Sequence, residues 1–130
     1  MKQQTTEKQL QFQSMCEISG TIFIDSELMT QALVNIFSNA IDATDAGGTI
    51  SFVVNRKGRE IQFIVRDTGC GIPKESLEKI FNLYYTTKTN GNGIGLAITQ
   101  QIISQHNGRI EVQSKAGKGT TFTITIPEQR

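Results

Sequence analysis

The chain has 130 residues, a length that suits one domain built on a single core. Its 13 lysines and arginines nearly balance 12 acids, and a net charge of +1 gives no electrostatic case for nucleic acid or for direct contact with an anionic membrane. The sequence has no apolar run of membrane-span length, no signal-peptide h-region, and only two cysteines, Cys16 and Cys70, which make neither a disulfide framework nor a zinc site; a reducing, cytoplasmic setting is expected.

Residues 1–13 are polar and glutamine-rich, with Leu10 and Phe12 as the bulky apolar positions, and read as a linker or the tail of a preceding helix. That leaves residues 14–130 as the folded domain. Residues 15–24 carry Ile18, Ile22 and Ile24 in partial alternation and predict a strand. Asp25 or Ser26 then caps a helix whose apolar positions Leu28, Ala32, Ile36 and Ala40 recur every four residues, ending near Ala46 with a stop at Gly47-Gly48. Strands at 49–55 and 60–67 flank a tight turn at Arg56-Lys57-Gly58-Arg59. A glycine-broken bend at 68–73 leads to a short helix at 74–81 and a polar segment at 82–92. A helix from Ile94 ends at Gly108, and strands at 109–114 and 120–126 enclose the turn at Gly117 and Gly119. Three helices on one face of a mixed, largely antiparallel sheet make an α/β two-layer sandwich.

The stretch from Lys88 to His106 passes from a glycine-studded loop into an apolar-periodic helix. Gly91, Gly93 and Gly95 stand at alternate positions where that helix starts, so bare backbone amides and the positive end of the dipole would face an anion. A flexible turn before an ordinary helix explains the pattern as well. No Gly-Lys-Ser or Gly-Lys-Thr occurs, and Ile98 stands where a dinucleotide fingerprint needs its third glycine. Any nucleotide must therefore be held by different chemistry.

Asn35 and Asn39 lie one turn apart on the first long helix, beside an apolar stripe. An amide oxygen there could ligate Mg²⁺, or the pair could bond to backbone or water. Asp67 closes a strand ahead of Gly69 and Gly71, where a carboxylate can accept from an exocyclic amine or form an Asx turn. Lys88 could reach a terminal phosphate or stay solvated. Cys70 reads as an inert loop residue. His106, alone near a helix C-terminus, reads as structural.

Taken in order, these motifs resemble the ATP-binding (catalytic) domain of sensor histidine kinases, within the superfamily shared with DNA gyrase B, MutL and heat-shock chaperone ATPases. Residues 31–43 (QALVNIFSNAIDA) look like the N box, and Asp67-Thr68-Gly69-Cys70-Gly71-Ile72-Pro73 like the first glycine box. Residues 80–88 resemble the F box, 91–96 the second glycine box, and Gly117-Lys118-Gly119-Thr120-Thr121-Phe122 the final one. The resemblance implies a Bergerat-type fold and a set of roles. Asn39 would ligate Mg²⁺ and Asn35 would approach the phosphates. Asp67 would take the adenine N6 amine, with Gly71 and Ile72 against the base and Thr121 completing recognition. Lys88 would grip the γ-phosphate, while Gly93, Ile94, Gly95 and Leu96 would lie against phosphate.

Two departures from the family pattern matter. Asp42 stands where many members have lysine, so a direct phosphate role for it is doubtful. Asn35 stands where the ATPase branch has its water-activating glutamate, and an amide cannot serve as that base. The same glutamate is general in anti-sigma-factor-type serine kinases, which rank second; a non-catalytic nucleotide-binding regulatory module is a further alternative. The kinase chemistry needs a phosphoacceptor histidine, and His106 does not match the acceptor box. The expected partners are thus a histidine-bearing dimerisation domain of the same parent protein, cytoplasmic whether or not that parent is membrane-anchored, and a downstream response regulator.

Overall fold

A computed structural model describes residues 10–17, 25–77, 79–81 and 95–128. Its elements are β1 (Gln11–Cys16), α1 (Ser26–Ala43), β2 (Thr49–Lys57), β3 (Glu60–Asp67), α2 (Lys74–Leu77), α3 (Gly95–Gln105), β4 (Arg109–Lys115) and β5 (Gly119–Pro127). The strands form one five-stranded sheet in the order β1-β2-β3-β5-β4. β1 runs parallel to β2, and every other pairing is antiparallel. The expected two-layer sandwich is therefore the observed fold.

Helix α1 starts where its cap chemistry allows. Asp25 takes an extended conformation and its side chain accepts the Leu28 amide at 3.1 Å. Met29, Ala32, Ile36, Ala40 and Ile41 form the buried face. The helix stops at Ala43 and not near Ala46, because Thr44 turns extended and folds back: its amide bonds Ile41 O and its hydroxyl donates to Ala40 O at 2.6 Å. Those bonds satisfy last-turn carbonyls that another turn of helix would otherwise have taken.

On the sheet face beneath, Ile50, Ile61, Val65, Phe122, Ile124 and Ile126 meet Ile36, Ile41, Ile102 and Ile103, all buried. Full burial of each such side chain is worth about 1.5–3 kcal/mol, so this face supplies most of the driving force. Phe37, Phe52 and Phe63 extend the core toward β1, with Phe37 edge-on to Phe52 at 5.2 Å.

Further boundaries differ from the sequence reading. β1 begins at Gln11, inside the segment expected to be linker, and all six of its residues are exposed; an edge strand with no buried face leaves no alternation to detect. Residues 18–24, the rest of the expected first strand, lie outside the described residues. Helix α2 is a single turn and ends at Leu77, short of Phe81. Helix α3 is terminated one residue before Gly108: Asn107 takes φ 60°, its amide bonds Ser104 O at 3.0 Å, and the Gly108 amide bonds Ile103 O at 2.9 Å. This is a Schellman arrangement with asparagine in the left-handed position.

Candidate functional site

Segments far apart in sequence meet where β3 ends. Asp67, only 4% exposed, stands opposite Ile50 on β2 and Thr120 on β5. Its Oδ1 accepts the Gly69 amide at 2.8 Å. Burial pushes the carboxyl above the usual carboxylate range, and bonds from the backbone of Gly69 and Thr120 pull it back in part. A buried carboxylate with spare acceptor capacity gains from any ligand that brings a donor.

The bend after Asp67 is bonded on both sides. Cys70 N–H donates to Ala43 O at 3.0 Å, at the C-terminal end of α1, and Cys70 O accepts the Gly117 amide at 2.7 Å from the β4–β5 turn. The Ile72 amide donates to Ser114 Oγ at 2.7 Å. The glycines make this wedge possible. A Cβ on Gly69 would stand 2.4 Å from Ala43 O, and one on Gly71, which has φ +75°, would stand 2.2 Å from Lys115 O. Neither position has room for a side chain.

The other end of the site is organised by Asn35. Its Nδ2 donates to Gly95 O at 3.1 Å and to Thr99 Oγ1 at 3.3 Å, while Thr99 Oγ1 itself donates to Gly95 O at 2.9 Å. This cluster ties α1 to the first turn of α3, where Gly95 and Leu96 stand half-buried. Asn39 lies half-buried one turn further along α1. Asn35, Asn39 and Ala43 thus recur every four residues as a stripe, spanning about 12 Å of helix. One end of the stripe touches the start of α3 and the other touches the Asp67 bend.

The structure brings together most of the residues singled out by sequence: Asp67, Gly71 and Ile72 at one end, Asn35, Gly95 and Leu96 at the other, and Asn39 between. Lys88, Gly93 and Ile94 lie outside the described residues. Thr121 requires a correction. It stands opposite Arg66 and Gln113, and strand alternation turns it to the face away from Asp67. Thr120 is the threonine in register with Asp67, and it is 4% exposed. Sequence reasoning also missed Ser114 and Thr99. For Thr120 a signal existed, since it shares the parity of the core residues Phe122 and Ile124. Ser114 offered none, because its partners come from two other segments.

Among the described residues, no group of three or more His, Cys, Asp or Glu could cage a metal ion. The donor chemistry that fits is narrower: the Asn39 amide oxygen suits a hard cation that takes its remaining ligands from phosphates and water, as Mg²⁺ does. His106 is placed as expected for a structural residue. It is buried, with Nδ1 2.9 Å from Ile102 O and Nε2 accepting the Asp25 amide at 3.4 Å, so it joins the end of α3 to the cap of α1.

Residues 24–130 match the sequence model of the family described as histidine kinase-, DNA gyrase B- and HSP90-like ATPases. The chain is 45% identical over 125 residues to the sensor histidine kinase ZraS of Salmonella typhimurium, covering 95% of this chain and 27% of that protein. It is 41% identical over 112 residues to the sensor histidine kinase WalK of Bacillus subtilis, covering 80% and 18% respectively. It therefore spans less than a third of the length of curated relatives such as these. Among solved structures, the catalytic domain of the histidine kinase ThkA superposes with a TM-score of 0.87 at 30% identity, over 98% of this chain and 84% of that one. Full-length ShkA in complex with AMPPNP superposes with a TM-score of 0.87 at 26% identity, over 97% of this chain and 27% of that one.

Proposed function

The chain belongs to the histidine kinase-, DNA gyrase B- and HSP90-like ATPase family, as the ATP-binding catalytic domain of a sensor histidine kinase, and on that premise we propose that it holds MgATP along the α1 stripe and presents the γ-phosphate to a histidine on a separate dimerisation domain. The observation that carries this reading is the stripe itself. A single helix carries both the bond to the bend that follows the buried acid, where Ala43 O accepts the Cys70 amide, and the bond from Asn35 to the start of α3, so base and phosphates would be held in one fixed relation.

In this reading Asp67 accepts from the N6 amine of adenine, and Gly71 and Ile72 lie against the ring. Thr120 takes the position the sequence assigned to Thr121. Asn35 exchanges its bond to Gly95 for one to phosphate, and Gly95 and Leu96, with Gly93 and Ile94, offer main-chain amides there. Lys88 meets the γ-phosphate as a point charge. Asn39 holds Mg²⁺, which when bound neutralises charge on the phosphate oxygens. The acceptor imidazole attacks the γ-phosphorus in line, the N–P bond forms as the bond to the ADP oxygen breaks, and this chain contributes position and charge neutralisation. With an amide at position 35, no side chain there can activate water. Transfer to the histidine is accordingly the favoured outcome over hydrolysis. ThkA has been solved with the response regulator TrrA, which supports an onward transfer from the parent protein to a response regulator.

The test incubates the chain with γ-labelled ATP, with and without a histidine-bearing dimerisation domain of its parent protein. Acid-labile label on the added domain is the expected result. Acid-stable label on serine would replace the reading with a serine kinase, and rapid phosphate release without protein label would replace it with an ATPase.

A further inference from the structure

Ser114 lies on β4 directly opposite Thr120 of β5. Its Oγ accepts the Ile72 amide at 2.7 Å, donates to Gly119 O at 3.0 Å, and stands 2.8 Å from Thr120 Oγ1. A serine hydroxyl has one proton and two lone pairs. The Ile72 amide can only donate and the Gly119 carbonyl can only accept. The serine proton is therefore committed to Gly119 and one lone pair to Ile72. What remains is a single lone pair, so when all three bonds are made together the Thr120 hydroxyl is the donor in its bond to Ser114.

That assignment fixes the polarity of Thr120. With its proton committed to Ser114, Thr120 Oγ1 has only lone pairs left to offer. It stands in register with Asp67, whose carboxylate is also an acceptor, and both residues are 4% exposed. Water cannot freely reset either group at that burial. We infer that Ser114 is a specificity-determining positioning residue: it holds the Thr120 hydroxyl as an acceptor, so that Asp67 and Thr120 meet the purine 6-substituent as two acceptors, which favours a 6-amino donor over a 6-oxo acceptor. The inference rests on the reading that the Asp67 end receives the base. It adds a residue outside the family's boxes and gives it a direction of proton donation.

Removal of the serine hydroxyl frees the Thr120 proton. Thr120 can then rotate to donate, and a 6-oxo group finds a partner where it met two acceptors. The two nucleotides are thereby affected unequally, which simple loosening of the bend would not do.

The experiment measures ATP and ITP affinity by calorimetry for the unaltered chain, Ser114→Ala and Ser114→Thr. Ser114→Ala should lower the preference for ATP over ITP by about 3- to 10-fold, the size of one neutral hydrogen bond, and Ser114→Thr should restore it. Proportional weakening of both nucleotides in Ser114→Ala, with the preference intact, would overturn the role of Ser114 and leave the base site standing. An unaltered chain that binds ITP as tightly as ATP would overturn the base site itself, and the inference with it. Should Ser114→Ala fail to fold, Thr120→Val removes the hydroxyl in question while keeping the Ser114 bonds to Ile72 and Gly119; the preference must fall there too, and an unchanged preference would overturn the proposal.

Discussion

The side-chain amide of Asn35 donates to the main-chain oxygen of Gly95 at 3.1 Å, joining residues 60 apart in sequence. A residue proposed to approach phosphate is thus already engaged with the helix proposed to offer amides to phosphate. The two roles compete for one NH₂ group, and the bond to Gly95 is the one that helps set where α3 begins.

Asn35→Asp tests the structural half of this pairing. The substitution keeps the shape but points a carboxylate oxygen at a carbonyl, and the Thr99 proton is already given to Gly95. The expected cost is about 1–3 kcal/mol for the lost bond and the mispaired acceptor. Thermal denaturation of the nucleotide-free chain should show Tm lowered by several degrees, and an unchanged Tm would remove the Asn35–Gly95 bond from the account of α3.

Asp67→Asn should separate stability from binding. Burial raises the Asp67 carboxyl in the folded chain, so the native state binds the extra proton. The stability this group contributes is fully present below the unfolded carboxylate value, about pH 4, and is lost as pH rises through the higher folded value. Asparagine keeps an acceptor for the Gly69 amide without the buried charge. The nucleotide-free variant should therefore melt above the unaltered chain at neutral pH, with the gap closing as pH falls through that window. ATP affinity should drop about 10- to 150-fold, the worth of a charged hydrogen bond. A variant that melts lower at neutral pH, or binds ATP equally, contradicts the placement of Asp67.

Two glycines with similar backbones give a controlled comparison. Gly71 (φ +75°) faces Lys115 O, whereas Gly117 (φ +82°) has open space where a Cβ would be. Gly117→Ala should cost only the left-handed penalty, about 1–2 kcal/mol. Gly71→Ala adds a main-chain clash, so denaturant titration should show a clearly larger loss and nucleotide affinity should fall with it. Equal losses at the two positions would mean the bend does not press on the hairpin.

His106→Gln should leave ATP affinity within about twofold, since among the described residues the imidazole bonds the end of α3 and the cap of α1, while stability falls by about 1–3 kcal/mol for the two disturbed bonds. Calorimetry and denaturation on the same preparation check both halves. A large loss of affinity with stability intact would place His106 in the site.

These residues also show what the sequence could and could not convey. The order of elements and the Asp67 bend were readable because glycine, asparagine and aspartate carry local chemistry wherever they stand. Thr120 and Thr121 are neighbours of the same type, and only the register of β5 against β3 tells them apart. That register pairs two strands far apart in sequence, and the local motif at 117–122 does not specify it. Helix ends were off by a residue or a few because Thr44 and Asn107 close their helices with bonds that compete against equally ordinary continuations. The first residues of β1, 11–13, read as linker because a strand exposed along its whole length carries no apolar rhythm.

The position of β5 has a consequence for biosynthesis. It is the last of the described strands in sequence, yet it lies between β3 and β4, and it brings Thr120 alongside Asp67. As the chain leaves the ribosome, every earlier strand can emerge while the acid at the end of β3 still lacks its neighbour. The nucleotide site proposed above can take its final form only once β5 has paired with β3, and β4, whose partner among the described strands is β5, joins the sheet through that same strand.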